Sequence, residues 1–152
     1  MTRKKVLLCH CWEMDMGGDD PESVLAGLRR ESPGVLIQVF GGRRPNPSAI
    51  EMVAAQTLTA ARSGSMVADR PELDLLLRLA GTRQIGKAFR LMGYKSAQRK
   101  LFIVAASEGN GEMGRLLNEL SLDRRFVKME KKPLTNDDLD LVERGALLSA
   151  SL

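Results

Sequence analysis

Cys9-His10-Cys11 is the first group whose residue types could do chemistry: two thiols flank the only imidazole in 152 residues. Converging, they would offer three metal ligands, or a thiol and a base for nucleophilic catalysis. Their spacing argues against both. On a strand, residues i and i+2 share one face and the residue between them points the other way, so His10 turns away from both sulfurs. A structural zinc site needs four ligands, and no second Cys or His pair exists. The thiols sit too close in sequence for an ordinary disulfide, which fits a reducing cytosol. They read as small core or half-buried residues, and neither a metal nor a cofactor is expected. A Ser-His-Asp or Cys-His mechanism would have to use His10, and nothing resembles a nucleophile elbow. A carboxylate pair stays open as a catalytic device, because the chain has 19 acidic residues and spatial pairs are invisible in sequence.

Three glycine turns could face an anion: Gly17-Gly18, Gly41-Gly42-Arg43-Arg44 and Gly109-Asn110-Gly111. The second follows a strand pattern and precedes a helix start, the right place for such a site. None carries a P-loop Lys-Ser/Thr or a G-x-G-x-x-G pattern, so all three read as turns.

The most distinctive chemistry lies in Leu79-Ala80-Gly81-Thr82-Arg83-Gln84-Ile85. Thr82, Arg83 and Gln84 crowd hydrogen-bonding groups at a predicted helix start, just after a glycine joint. Arginine there opposes the helix dipole, so local helix stability does not explain it. Amides at that end, with the guanidinium, could hold a phosphate or splayed bases. The bland alternative is that Thr82 caps the helix and Arg83 is solvated. Between Arg78 and Lys100 there are seven basic residues and no acid; removing them from the net +4 leaves the rest of the chain at −3. One segment therefore carries the positive field, as an RNA- or phosphate-binding footprint would. A solvated basic helix face would look the same.

These residues need elements to hold them. A length of 152 residues suits one domain with a real core, spanning 1–152. Aromatics are only 4%, so the core must come from Leu, Val, Ile, Ala and Met. No apolar run approaches the roughly 20 residues that span a bilayer, and the apolar stretch after the basic N-terminus is too short for a secretory signal. No membrane association and a cytoplasmic location are expected. Strands are predicted at about 6–12, 35–40, 101–106 and 126–129. Helices are predicted from Asp20-Pro21, Asn46-Pro47, Asp69-Arg70-Pro71, Thr82, Gly111 and Asn136. The order is β-α-β-α-α-α-β-α-β-α, which gives an α/β class: a single domain with a small mixed β-sheet packed with about six helices. On the helix begun at Thr82, the inward stripe is Ile85, Ala88, Phe89 and Met92. Arg83, Lys87 and Arg90 form a basic ridge at i, i+4 and i+7. Ile85 lies near enough to the helix start to stack against a base. Arg62 is a flanking candidate. On the last helix, Leu139, Val142, Ala146 and Leu147 share the inward face, while Leu141 and Leu148 stand off it and are candidate partner-binding residues.

The run Asn46-Pro47 to Ala54-Ala55, then Leu76 through Thr82-Arg83-Gln84-Ile85, Ala88-Phe89, Met92-Gly93 and Leu101-Phe102-Ile103-Val104-Ala105 resembles the kinase-binding small subunit of the KEOPS (EKC) complex. That is the p53-related-protein-kinase-binding protein family, and this chain looks like its shorter archaeal form. The resemblance covers about residues 35–120. It implies a non-catalytic subunit that binds a kinase-like ATPase subunit and the single-stranded 3′ end of tRNA. The assembly places threonylcarbamoyl on the adenosine next to the anticodon. On that reading RNA is held by Thr82, Arg83, Gln84, Ile85, Lys87 and Arg90, with Arg62 beside them. The rival readings are a purely structural adaptor and a small-molecule enzyme built on a carboxylate pair.

Overall fold

The computed structural model describes residues 7–42, 46–95, 98–109 and 111–150. The predicted Val6 strand start, Arg43-Arg44-Pro45 and Asn110 lie outside the described residues. The elements are β1 (Leu8–Asp15), α1 (Pro21–Glu31), β2 (Leu36–Phe40), α2 (Pro47–Ser63) and α3 (Pro71–Ala80). They continue with α4 (Ile85–Met92), β3 (Lys100–Ser107), α5 (Gly111–Ser121), β4 (Phe126–Lys128) and α6 (Asn136–Ala150).

Alternation along the strands makes both faces of the sheet apolar. Cys9, Cys11, Leu36, Phe40, Phe102 and Val104 face one side and pack with Ile50 and Val53 of α2 and Leu75 and Leu76 of α3. Trp12, Met14, Ile37, Val39, Leu101 and Ile103 face the other and pack with α1 and α5 through Leu25, Leu28, Met113 and Leu116. The sheet is thus a middle layer between helices. α6 packs outside α2 and α3, and α4 packs on α3. No described helix is long and apolar enough to cross a membrane.

The strand order is β2-β3-β1-β4. The expected α/β domain with six helices is present, but the sheet is not mixed. Every ladder is antiparallel. β1 and β2, joined through α1, both run opposite to β3, and β3 lies between them. The two β-α-β units interleave, the split arrangement, so no parallel pair forms.

The predicted starts of α1 and α2 and the stop of α3 work as their residue types require. Asp20 and Asn46 cap α1 and α2 by accepting from Glu22 N and Ser48 N, with Pro21 and Pro47 just inside. α3 ends at Gly81, which has φ +70° and sends its N–H to Leu77 O at 2.8 Å. A side chain there would be strained.

α3 also carries a buried ionic network. Arg78, only 1% exposed, donates to Asp74 Oδ2 at 2.7 Å, to Gly145 O at 3.0 Å and to Ser149 Oγ at 2.5 Å. Asp74 also accepts from Thr57 Oγ1 at 2.7 Å and Val67 N at 2.8 Å. The network ties α2, α3 and α6 together.

The expected inward face of α6 holds at Val142 but not at Leu139, Ala146 or Leu147. Leu141 and Val142 pack on the core and Leu148 is half-buried, while Leu139, Ala146 and Leu147 are exposed. The reason is Gly145, buried where α6 meets Arg78 and Gln56. It sets the inward face, and Leu141, Val142, Leu148 and Ser149 fall on that face because they lie one turn to either side.

Candidate nucleic-acid interface

The joint between α3 and α4 differs from its prediction. The helix begins at Ile85, not Thr82. Thr82 Oγ1 accepts from Gln84 N at 3.2 Å and shapes the turn ahead of the helix. Gln84 occupies the cap position with no side-chain cap bond. Arg83 therefore precedes α4, and the helical spacing of the basic ridge holds only for Lys87 and Arg90.

Arg83 is exposed, and its Nη2 donates to Leu148 O in the last turn of α6. A guanidinium is favourable at a helix C-terminus, so a tertiary contact explains its position where local helix stability does not. Arg62 is held by Glu108 at the end of β3, with Nε–Oε1 at 3.3 Å. Arg62 is not brought to α4 by any described contact.

The acid-free window is less positive in space than in sequence. Arg78 is buried and neutralised by Asp74. Arg99 pairs with Asp15 at 3.0 Å, and Lys100 with Glu13 at 3.4 Å. The Arg99 hydrogen bond holds the Asp15 carboxyl below its ordinary range. Lys87, Arg90 and Lys95 are exposed, and none has a carboxylate partner among the described residues.

The apolar stripe of α4 is narrower than predicted. Ala88 and Met92 are buried, whereas Ile85 is 49% and Phe89 55% exposed. Only α3 supports this short helix closely, so a stripe four residues wide cannot all go inside. Lys87 and Arg90 project opposite Ala88 and Met92, and Ile85 and Phe89 lie together along one side of the buried pair.

Phe89 also lines a cleft of about 550 Å³ between α1, β2, α3 and α4, with Arg29, Gln38, Arg70, Glu72 and Tyr94. Burial lowers the Arg29 guanidinium pKa. Burial, and then the hydrogen bond to Glu22, raise that of the Tyr94 phenol. Sequence reasoning missed Phe89 as an exposed ring. The available signal was the width of the apolar stripe against the shortness of its helix.

The thiols and the imidazole separate as the strand period requires. Cys9 and Cys11 are buried on the α2 side, and His10 turns to the Trp12 side, with ring centroids 6.2 Å apart. The hydrogen bond with Cys11 and burial push the Cys9 thiol far up. Burial, then Lys128 and Lys131, lower the His10 pKa. Among the described residues no group of His, Cys, Asp or Glu is placed to hold a metal. Gly17 and Gly18 form a turn at positive φ with Gly17 N on Asp15 Oδ1. Gly41 N bonds Met92 O, and Gly42 lies against the Leu91 carbonyl, too close for a side chain.

No protein-family model and no curated protein matches this chain.

Proposed function

We propose that this chain is a non-catalytic cytoplasmic subunit of a KEOPS-type tRNA-modifying assembly, binding its kinase-like ATPase and the single-stranded 3′ end of tRNA. The reading rests on the sequence resemblance and on one structural observation. Lys87 and Arg90, without carboxylate partners among the described residues, share the short helix α4 with exposed Ile85 and Phe89, which lie further round its circumference. Cations for the backbone next to apolar surface for unstacked bases is the combination that single-stranded RNA binding uses. Thr82 and Gln84 add hydrogen-bonding groups at the same end of α4. Arg83 belongs to the site as a cation already anchored on α6, and Arg62 only as a distant contributor to the field. The kinase-like partner is assigned to the exposed side of α6, where Leu139 lies, in place of Leu141 and Leu148.

The test is tRNA binding by fluorescence anisotropy against salt. Each phosphate contact contributes about 0.7 to the log–log slope for a single strand. Lys87→Glu with Arg90→Glu should weaken binding at least tenfold and flatten that slope. Exposed Arg115 on α5 serves as the control. Trimming the tRNA 3′ end should reproduce the loss without adding to it. Equal losses from Arg115→Glu would leave only diffuse charge attraction and end the assignment.

A further inference from the structure

The two edges of the sheet are finished differently. Along β2 the protein covers several of its own outward main-chain groups. Ile37 O accepts from Arg29 Nε at 3.0 Å and Nη2 at 2.7 Å. Val39 N donates to Gln38 Oε1 at 2.9 Å, and Gly41 N to Met92 O at 2.9 Å. Such cover blocks strand addition.

β4 has no comparable cover. Arg125 O accepts from Asp15 N at 2.8 Å and Met129 N donates to Cys11 O at 2.9 Å, with Val127 opposite Glu13 between them. Antiparallel pairing alternates, so Phe126 and Lys128 direct their main-chain groups outward. Phe126 N closes a turn on Asp123 O at 3.1 Å. Phe126 O and the N–H and carbonyl of Lys128 have no partner among the described residues.

The surroundings select what could pair there. Leu122 and Val127, at 79% and 66%, are the most exposed large apolar side chains described, and they bracket the start of this edge. From Arg124 to Lys132 the chain has five basic residues and one acid, Glu130. Arg125 is committed to Asp123 and Asp19, and Lys131 to Glu51. Arg124, Lys128 and Lys132 have no carboxylate partner among the described residues.

We propose that the outer edge of β4 binds an extended acidic segment of a partner protein as a fifth strand. Its backbone pairs with Phe126 and Lys128, its carboxylates face the free cations, and an apolar side chain covers Val127. Main-chain bonds give such pairing its affinity, and alternate side chains give its specificity. A second copy of this edge does not fit, because it would set Arg124 and Lys128 against their own kind. A nucleic acid would satisfy the charge but offers no row of N–H and C=O groups at strand spacing. The inference stands independently of tRNA binding.

The experiment uses the whole chain and a capped nine-residue peptide alternating Ile with Glu, followed by amide NMR. Expected are salt-sensitive shifts along residues 126–130, slowed hydrogen exchange at the Lys128 amide, and at least tenfold weaker binding when alternate peptide nitrogens are methylated. Lys128→Pro removes the donor and should cost at least tenfold. Should that variant not fold, Lys128→Glu decides: it should weaken the Glu peptide and favour a Lys-for-Glu version. The proposal is overturned if the methylated peptide binds equally, if Lys128 exchange is unchanged, or if a nine-nucleotide single-stranded RNA protects Lys128 and the peptide does not.

Discussion

The Arg78 guanidinium and the Asp74 carboxylate meet at 2.7 Å one helical turn apart, with both side chains almost wholly removed from water. Every oxygen of that carboxylate and every arm of that guanidinium finds a partner. Breaking such a pair leaves a buried charge uncompensated. Arg78→Met should therefore cost about 3–5 kcal/mol in urea unfolding. Adding Asp74→Asn, which removes the orphaned charge, should restore part of the loss. A single variant within about 1 kcal/mol of wild type would show that water reaches the pair.

Phe89 separates stability from recognition. Its ring is mostly outside the core, so Phe89→Ala should change the unfolding free energy by only about 0.5 kcal/mol. If the ring carries an RNA base, the same change should weaken binding by about 1–3 kcal/mol. Unfolding and anisotropy on one preparation measure both. A large stability loss with unchanged binding would return Phe89 to the core.

Two helical glycines should respond in opposite directions. A side chain at Gly114 meets nothing within 4 Å, so Gly114→Ala should stabilise by about 1 kcal/mol through helix propensity. At Gly145 a new Cβ would lie 2.8 Å from Gln56 Oε1 and 3.3 Å from Arg78 Cβ. Gly145→Ala should destabilise by about 1–3 kcal/mol despite the same propensity gain. Melting curves of the two variants check the sign of each.

Cys9 predicts an alkaline limit. Its thiol is held far above the ordinary value of 9.0 in the folded chain. Above about pH 9 the unfolded chain loses this proton and the folded chain keeps it, so folding stability falls as pH rises. The slope from one group is about 1.4 kcal/mol per pH unit. Cys9→Ala should remove that component of the slope, measured by denaturant titration between pH 8 and 10, a range set roughly by this linkage. The native thiols should resist an aromatic disulfide reagent until the chain unfolds.

The order of elements was legible because caps, prolines and glycines punctuate it: Asp20-Pro21, Asn46-Pro47, Gly64 and Gly81 all act where their chemistry says they should. Helix faces were less legible. For α6, apolar residues at 139, 141, 142, 147 and 148 span too much of the circumference for periodicity to choose a side. Gly145 held the answer, because it is the point of α6 that Gln56 and Arg78 approach closely, but a mid-helix glycine alone does not announce this, as Gly114 shows. For α4, four apolar positions suggested one inward stripe, but only the neighbour α3 exists to receive it. Charge in sequence also overstated charge in space: Arg78 counts in the basic window, yet its field ends at Asp74. The KEOPS resemblance and the roles of Thr82, Gln84, Ile85 and Arg83 in RNA binding rest on sequence and on exposure, and the binding experiments decide them.

The pairing of β1 with β3 has a consequence for synthesis. Leu8 lies opposite Ser107, and β4 closes on β1 later still. β1 therefore waits for β3 and β4, made much later, before either of its main-chain edges is paired. Ordering so long an intervening loop is entropically costly and slows folding. Until then those edges are open to chaperones and to neighbouring nascent chains. A stall or truncation before residue 100 yields a product with an uncovered strand, and degradation is its expected fate.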